Sequence, residues 1–259
     1  MNIPMVTPEQ VGTFLFVFLR LSAMIALLPI FGDRPVLLRV RAGLSLVVSF
    51  LIFPFVETAN AQVLTGNVVS LIVSMAGEVL IGVILGFAVR CVFAGIQYAG
   101  EVAGLQMGFF IANVLDPVES RQVSVIAEIQ YMMALVIFLV LDGHHALLQA
   151  VNESFRVLPL GGIHITGPLV QTIFEWTRGV FVIALKIGAP IMAALIFTNV
   201  ALGIVARTVP QINVFIVGFP LQIAVGFLFF GLSVPLFVAL VGRLFSRIPG
   251  ELGAVLRLM

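Results

Sequence analysis

Short polar breaks divide this chain into apolar stretches so long and so poor in charge that water cannot be their only solvent. Residues 68–110 hold only three charged side chains, Glu78, Arg90 and Glu101, and residues 214–242 hold none. Of the 259 residues 61% are hydrophobic and 10% charged, against roughly 25% charged in a soluble domain, and the mean hydropathy is +1.21. Such a chain cannot cover its own surface with polar groups, so lipid or partner protein must do it. Only helices and closed barrels satisfy their backbone hydrogen bonds in lipid. No stretch alternates with the period of two that barrel strands need. The expectation is an all-α, membrane-associated helical protein. No polar linker interrupts it, so 1–259 reads as a single helical unit.

The apolar stretches fall at 11–30, 42–56, 68–110, 123–141, 168–207 and 214–242, with polar breaks at 57–67 and 113–122 and a turn at 209–213. The second is short for a span of roughly 20 residues. Residues 142–167 are mixed, and the tail after Arg243 is basic and amphipathic. Residues 1–10 lack Lys and Arg, and Arg20 interrupts the run that follows. That argues for a mature helix rather than a cleaved signal. The charges conflict on topology. Arg34, Arg39 and Arg41 place the first loop in the cytoplasm, and Arg243, Arg247 and Arg257 place the tail there too. Six alternating spans would put them on opposite sides. Either the span count is odd or some apolar helices lie against partner subunits instead of crossing lipid.

Several function classes are disfavoured. A net charge of +1 supplies no field for nucleic acid. The one cysteine, Cys91, forms no internal disulfide and reads as a packed thiol. There is no GxSxG elbow, no Walker A loop and no carboxylate pair in an apolar context, so the expectation is a non-enzymatic protein without catalytic or cofactor-binding residues. Asp142-Gly-His-His145 resembles a metal site at first sight. Adjacent histidines on a helix point apart, however, and no further ligand completes a tetrahedral set, so no metal is expected and Asp142 is assigned as an N-cap.

The residues that stand out are polar or small ones in apolar surroundings. Glu78, Gly82, Gly86, Arg90, Gln97, Glu101 and Gly104, with Ala94 filling the gap between Arg90 and Gln97, recur every three or four residues and would share one helix face. That face either packs closely on neighbouring helices or borders a conduit. After it comes the segment 108–122, with Gly108, Phe109, Phe110 and Ile111 at its start and Asp116, Pro117, Glu119 and Arg121 beyond. It is either an ordinary connection or a mobile element near a pore. Lys186 stands alone in an apolar helix as a candidate buried charge, which would either pair with an acidic group of a partner or snorkel to an interface.

The chain resembles the FliR family of flagellar type III protein export gates, which has injectisome relatives. The resemblance rests on residues 20–44 with Pro29, Phe31, Gly32, Pro35, Arg39 and Arg41; on Gly77-Glu-Val-Leu-Ile-Gly-Val-Ile-Leu-Gly-Phe87; on Gly100, Glu101, Gly104, Gln106 and Gly108; on Asp142-Gly-His-His145 with Pro159; and on Asn199-Val-Ala-Leu-Gly-Ile-Val-Ala-Arg-Thr-Val-Pro-Gln-Ile-Asn-Val-Phe215 with Gly218 and Pro220. It implies a FliP-like part over 1–167 and a FliQ-like helical hairpin with a basic tail over 168–259. It also implies partners FliP, FliQ and FlhB, exported unfolded flagellar proteins as cargo, and a place in the bacterial inner membrane at the flagellar basal body, in contact with lipid. Gly108, Phe109, Phe110, Ile111, Asp116, Pro117 and Arg121 would then belong to a pore plug. Arg207, Pro210, Gln211 and Asn213 would form a hairpin tip that meets a partner. A small-solute or ion transporter is the alternative. It would be expected to carry paired intramembrane charges on broken helices, often in two related halves.

Overall fold

In a computed structural model, residues 7–29, 37–56, 67–109, 124–209, 211 and 213–259 are described, and among them there is no strand. Seven α-helices follow in order: α1 Pro8–Leu27, α2 Leu38–Ile52, α3 Val68–Gln106, α4 Val125–Val140, α5 Gly143–Val157, α6 Gly167–Thr208 and α7 Val214–Leu256. A 3-10 turn, Phe53–Phe55, closes α2.

Local signals account for many of the ends. Thr7 caps α1 in a reciprocal capping box with Gln10, with Pro in the first turn, which satisfies backbone donors that a helix start leaves orphaned. The helix stops just before Pro29. In α2, Ser45 and Ser49 are buried, and their hydroxyls donate to the carbonyls of Arg41 and Ser45, at 2.8 and 2.6 Å. Polar groups on an apolar face are thereby satisfied within the helix itself. Pro54 lies in the turn that ends it.

Sequence and structure differ at three places. α2 begins at Leu38 rather than 42, so with its closing turn it forms a largely apolar helical segment of 18 residues. The mixed stretch 142–167 contains α5, a strongly amphipathic helix that buries Leu147 and Val151. The basic tail is no separate segment: α7 continues through it to Leu256, and Leu252, Val255 and Leu256 are buried. Five helices are individually long and apolar enough to cross a membrane, and Val125–Val140 with Gly143–Val157 would add a sixth only as a pair.

The residues pack into two compact units. One comprises Met1–Cys91, Asp142–Trp176 and Ser246–Met259; the other comprises Val92–Leu141 and Thr177–Phe245. Helices α3, α6 and α7, of 39, 42 and 43 residues, contribute to both, which is why no linker marks a boundary. Each unit takes residues from both sides of the 167/168 division that the resemblance implies.

In the first unit, α1 buries Phe16, Val17, Leu21 and Met24, and α3 buries Ile81, Ile84 and Leu85. In the second, Phe93, Phe138 and Phe245 form an aromatic triad with ring centroids 5.1 to 5.8 Å apart. There too, Ala103, Met107, Ile126, Ile191 and Leu195 form a buried cluster. α6 and α7 run antiparallel: Ile191 and Leu195 share that cluster with Val225 and Phe230, and Gln222 Nε2 donates to Asn199 Oδ1 nearer the turn.

Truncating a buried aromatic removes dispersion contacts and leaves a cavity, at about 3–5 kcal/mol for Phe→Ala. Phe138→Ala should therefore lower the unfolding temperature of the detergent-purified protein by several degrees, while Leu139→Ala, at a position 42% exposed, should leave it nearly unchanged. Equal melting of the two variants would show that the triad does not hold this unit together.

Candidate functional site

Two ionised side chains meet in the middle of the first unit. Arg20 comes from α1 and Glu78 from α3, both wholly buried, with Arg20 Nε donating to Glu78 Oε2 at 2.6 Å. Every other strong demand of the two groups is met nearby. Arg20 Nη1 donates to Ser154 Oγ at 2.9 Å and Nη2 to the Leu158 carbonyl at 3.4 Å. The guanidinium carbon lies 4.2 Å from the centre of the Phe155 ring, a cation–π contact. Glu78 Oε1 accepts from the Gly161 amide at 2.9 Å, and Gly161 sits at φ +77°, a left-handed backbone that glycine adopts at no steric cost. The node thus joins α1, α3, α5 and the turn after α5.

This arrangement bears on what the charges can do. A transport path needs charged groups that exchange partners or meet water. Here both side chains have no exposed surface, and each of their nitrogens and carboxylate oxygens is hydrogen-bonded to protein. The node is a fastener rather than a conduit. The local signal for it was present, because an arginine and a glutamate each interrupt an apolar run and such charges must pair. Their pairing across 58 positions was not readable, and neither was the part played by Ser154, Phe155, Leu158 and Gly161.

The small-residue face of α3 divides according to its neighbours. A Cβ on Gly82 would overlap the Arg20 carbonyl oxygen, and one on Gly86 would come 2.8 Å from Leu27 Cβ and 3.0 Å from the Met24 carbonyl. These two glycines therefore let α3 lie directly on the backbone of α1. In the second unit Gly100 abuts the backbone of Ala127, and Gly104 abuts the side chain of Ser124, whose hydroxyl donates to the Gly100 carbonyl at 3.2 Å. Gly95, which the stripe did not include, meets Ile183 and the Val180 carbonyl. Arg90 and Gln97 point outward and are exposed, and Glu101 is half-buried and accepts from Gln97 Nε2 at 3.1 Å. The seven residues thus do not form one uniform surface.

Of the proposed plug, Gly108 and Phe109 are described. Gly108 has φ +87° and its Cα side faces Phe219. Phe109 packs against the cluster around Met107 and Ile191 and meets Phe227 edge to face, with centroids 6.2 Å apart. Phe110, Ile111, Asp116, Pro117, Glu119 and Arg121 lie outside the described residues, as does Pro210 of the hairpin tip. Arg207, Gln211 and Asn213 are exposed at the turn between α6 and α7. Lys186 needs a correction: it is exposed, not buried. Around it the buried positions of α6 are Ala184, Ile187, Gly188, Ile191 and Leu195, a three-four period that turns residue 186 outward with Leu185.

The model of the bacterial export proteins, family 1, matches residues 11–248 of the chain. The flagellar biosynthetic protein FliR of Bacillus subtilis strain 168 is 35% identical over 90% of this chain and 90% of its own length. That of Escherichia coli K12 is 33% identical over 94% of each chain, and that of Pectobacterium carotovorum 32% over 92% of this chain and 90% of the relative.

Removing one partner of a buried ion pair strands the other and costs about 3–5 kcal/mol. Arg20→Met and Glu78→Met should each abolish accumulation of folded protein, and the double variant should recover part of it. If the double variant behaves like the sum of the singles, the two groups are not coupled. Gly86→Leu should likewise block folding of the first unit, because the new side chain would enter the backbone of α1. Wild-type yield of Gly86→Leu would show that the helices do not need this close approach.

Proposed function

The chain belongs to the bacterial export proteins of family 1, and from that premise we propose that it is a non-enzymatic subunit of the flagellar type III export gate. It helps form the channel through which flagellar proteins leave the cell during flagellum assembly. It is a membrane-embedded component that works with other export proteins. Its finer placement, in this reading, is the inner membrane at the basal body, with FliP, FliQ and FlhB as partners and unfolded flagellar proteins as cargo.

The observation that carries the assembly reading is the length over which apolar side chains are exposed. On α6 they run from Val170 through Phe174, Phe181, Leu185, Phe197 and Ile204 to Val205, about 52 Å of helix at ~1.5 Å per residue. The hydrocarbon core of a bilayer is only about 30 Å thick, and tilting does not close so large a difference. On α7, Ile216, Leu221, Leu228, Leu232 and Leu236 are also exposed. Apolar surface that lipid cannot reach must be covered by protein, and the subunits of a helical export complex would supply that cover.

Two parts of the chain take specific roles in this proposal. Segment 108–122 seals the resting channel. A bore wide enough for an unfolded polypeptide leaks ions unless bulky apolar groups exclude water from it. The described start of the segment supports this role, since Gly108 turns the chain and Phe109 anchors it in a buried cluster. The exposed hairpin tip, with Arg207, Gln211 and Asn213, faces the cytoplasm and meets FlhB; a basic residue at this end fits that side.

Purification of the tagged protein in mild detergent tests the first claim: a stable complex containing FliP and FliQ is expected, and Phe197→Glu should dissociate it and abolish motility. A functional monomer would overturn the reading in favour of a transporter. Deleting residues 110–114 should raise the small-ion permeability of cells while the complex still assembles. A deletion complex that conducts no more than wild type would move the seal to a partner. Cysteines at position 211 and on FlhB should crosslink in the cytoplasm, and reaction of position 211 with periplasmic reagents alone would exclude that placement.

A further inference from the structure

The start of α5 is built differently from what its sequence implies. Asp142 occupies the N-cap position, but its side chain makes no capping hydrogen bond, and its backbone is left-handed at φ 52° and ψ 31°. Among the described residues it is the only non-glycine residue at positive φ, a conformation that side chains adopt at some cost and that often marks a functional position. The two histidines beside it do not point apart. Their ring centroids are 5.0 Å apart, and His145 Nδ1 lies 3.3 Å from His144 Nε2. Asp142, His144 and His145 each offer one ligand atom, and these atoms all lie within 4.8 Å of one another.

We propose that Asp142, His144 and His145 bind a divalent transition-metal ion of the zinc type, a site independent of the export reading above. The chemistry of the set fits. Two imidazoles and a carboxylate are borderline-soft nitrogen and oxygen donors that suit Zn2+ and its neighbours rather than Mg2+ or Ca2+. Two nitrogens bound to one tetrahedral ion at ~2.1 Å stand roughly 3.4 Å apart, close to the separation between these two rings. The ion would take the place of this nitrogen–nitrogen contact, and its ligation requires neutral imidazoles. Three protein ligands leave at least one position for water, and both Asp142 and His145 are exposed, so an ion has a way in. The carboxylate that leaves the helix start uncapped is then explained, because it is turned to a ligand instead. Bound metal would fix the left-handed turn and pin the first turn of α5.

The test uses the full-length protein, alone or in its complex, purified in mild detergent without a polyhistidine tag and stripped with a chelator. Titration with Co2+ should give d–d absorption bands that saturate at one equivalent per chain and are displaced by one equivalent of Zn2+. Zn2+ should also raise the unfolding temperature by a few degrees. Asp142→Asn tolerates the left-handed backbone as well as aspartate does, so the turn survives the change. It and His145→Gln should each weaken binding by roughly tenfold or more and remove the thermal shift. The chain has three histidines, and His164→Gln should bind like wild type. Absence of stoichiometric Co2+ binding, or binding that Asp142→Asn and His145→Gln share with the wild type, would overturn the proposal.

Discussion

A guanidinium and a carboxylate buried among apolar helices each forfeit several kcal/mol of hydration, and their mutual attraction repays this only when every remaining hydrogen-bonding position is also filled. Each nitrogen of Arg20 and each oxygen of Glu78 has a partner, supplied beyond the pair itself by Ser154, the Leu158 carbonyl and the Gly161 amide, with the face of Phe155 against the guanidinium. The requirement is geometric as well as energetic. To satisfy both ions, α1, α3 and α5 and the turn at Gly161 must all be in place, so a partly assembled unit carries an uncompensated charge. Apolar side chains alone would not discriminate so sharply among arrangements of similar helices, because helix association in an apolar setting gains little from hydrophobicity itself.

The glycines of α3 make that geometry reachable. Arg20 and Glu78 can bond at 2.6 Å because, one turn further along, Gly82 lets α3 rest on the carbonyl of Arg20 itself. Close backbone approach and ion pairing are therefore one device: the first sets the distance, and the second makes any other distance costly. In the second unit close approach recurs without charge. Gly95, Gly100 and Gly104 seat α3 against α6 and α4, and a single serine hydroxyl bridges to the Gly100 carbonyl.

Membership in an export family makes sense of what this packing leaves undone. Helices of 42 and 43 residues carry exposed phenylalanine, leucine and isoleucine over lengths that exceed a bilayer, and a chain acting alone in lipid has no use for that surface. A subunit needs it to join its neighbours. The apolar character that first suggested a membrane protein is thus shared between two solvents, lipid and other chains, and composition alone does not divide it between them.

The sequence by itself determined the class of the molecule. Low charge and long apolar runs leave only helices, because an unsatisfied backbone has no partner in lipid, and prolines and polar breaks set most helix limits within a few residues. Long motifs such as 199–215 were enough to carry the family resemblance. Contacts between distant positions were decided only by the tertiary structure, since each depends on where another element lies. Arg20 finds Glu78 across 58 positions. Lys186 turns outward because of which face α6 buries. The stripe on α3 splits because different helices cover its two ends. At Asp142 the misreading was local: rules for helix interiors and caps do not hold where the backbone turns left-handed, and there the rotamers of His144 and His145, which no sequence pattern encodes, brought the rings together.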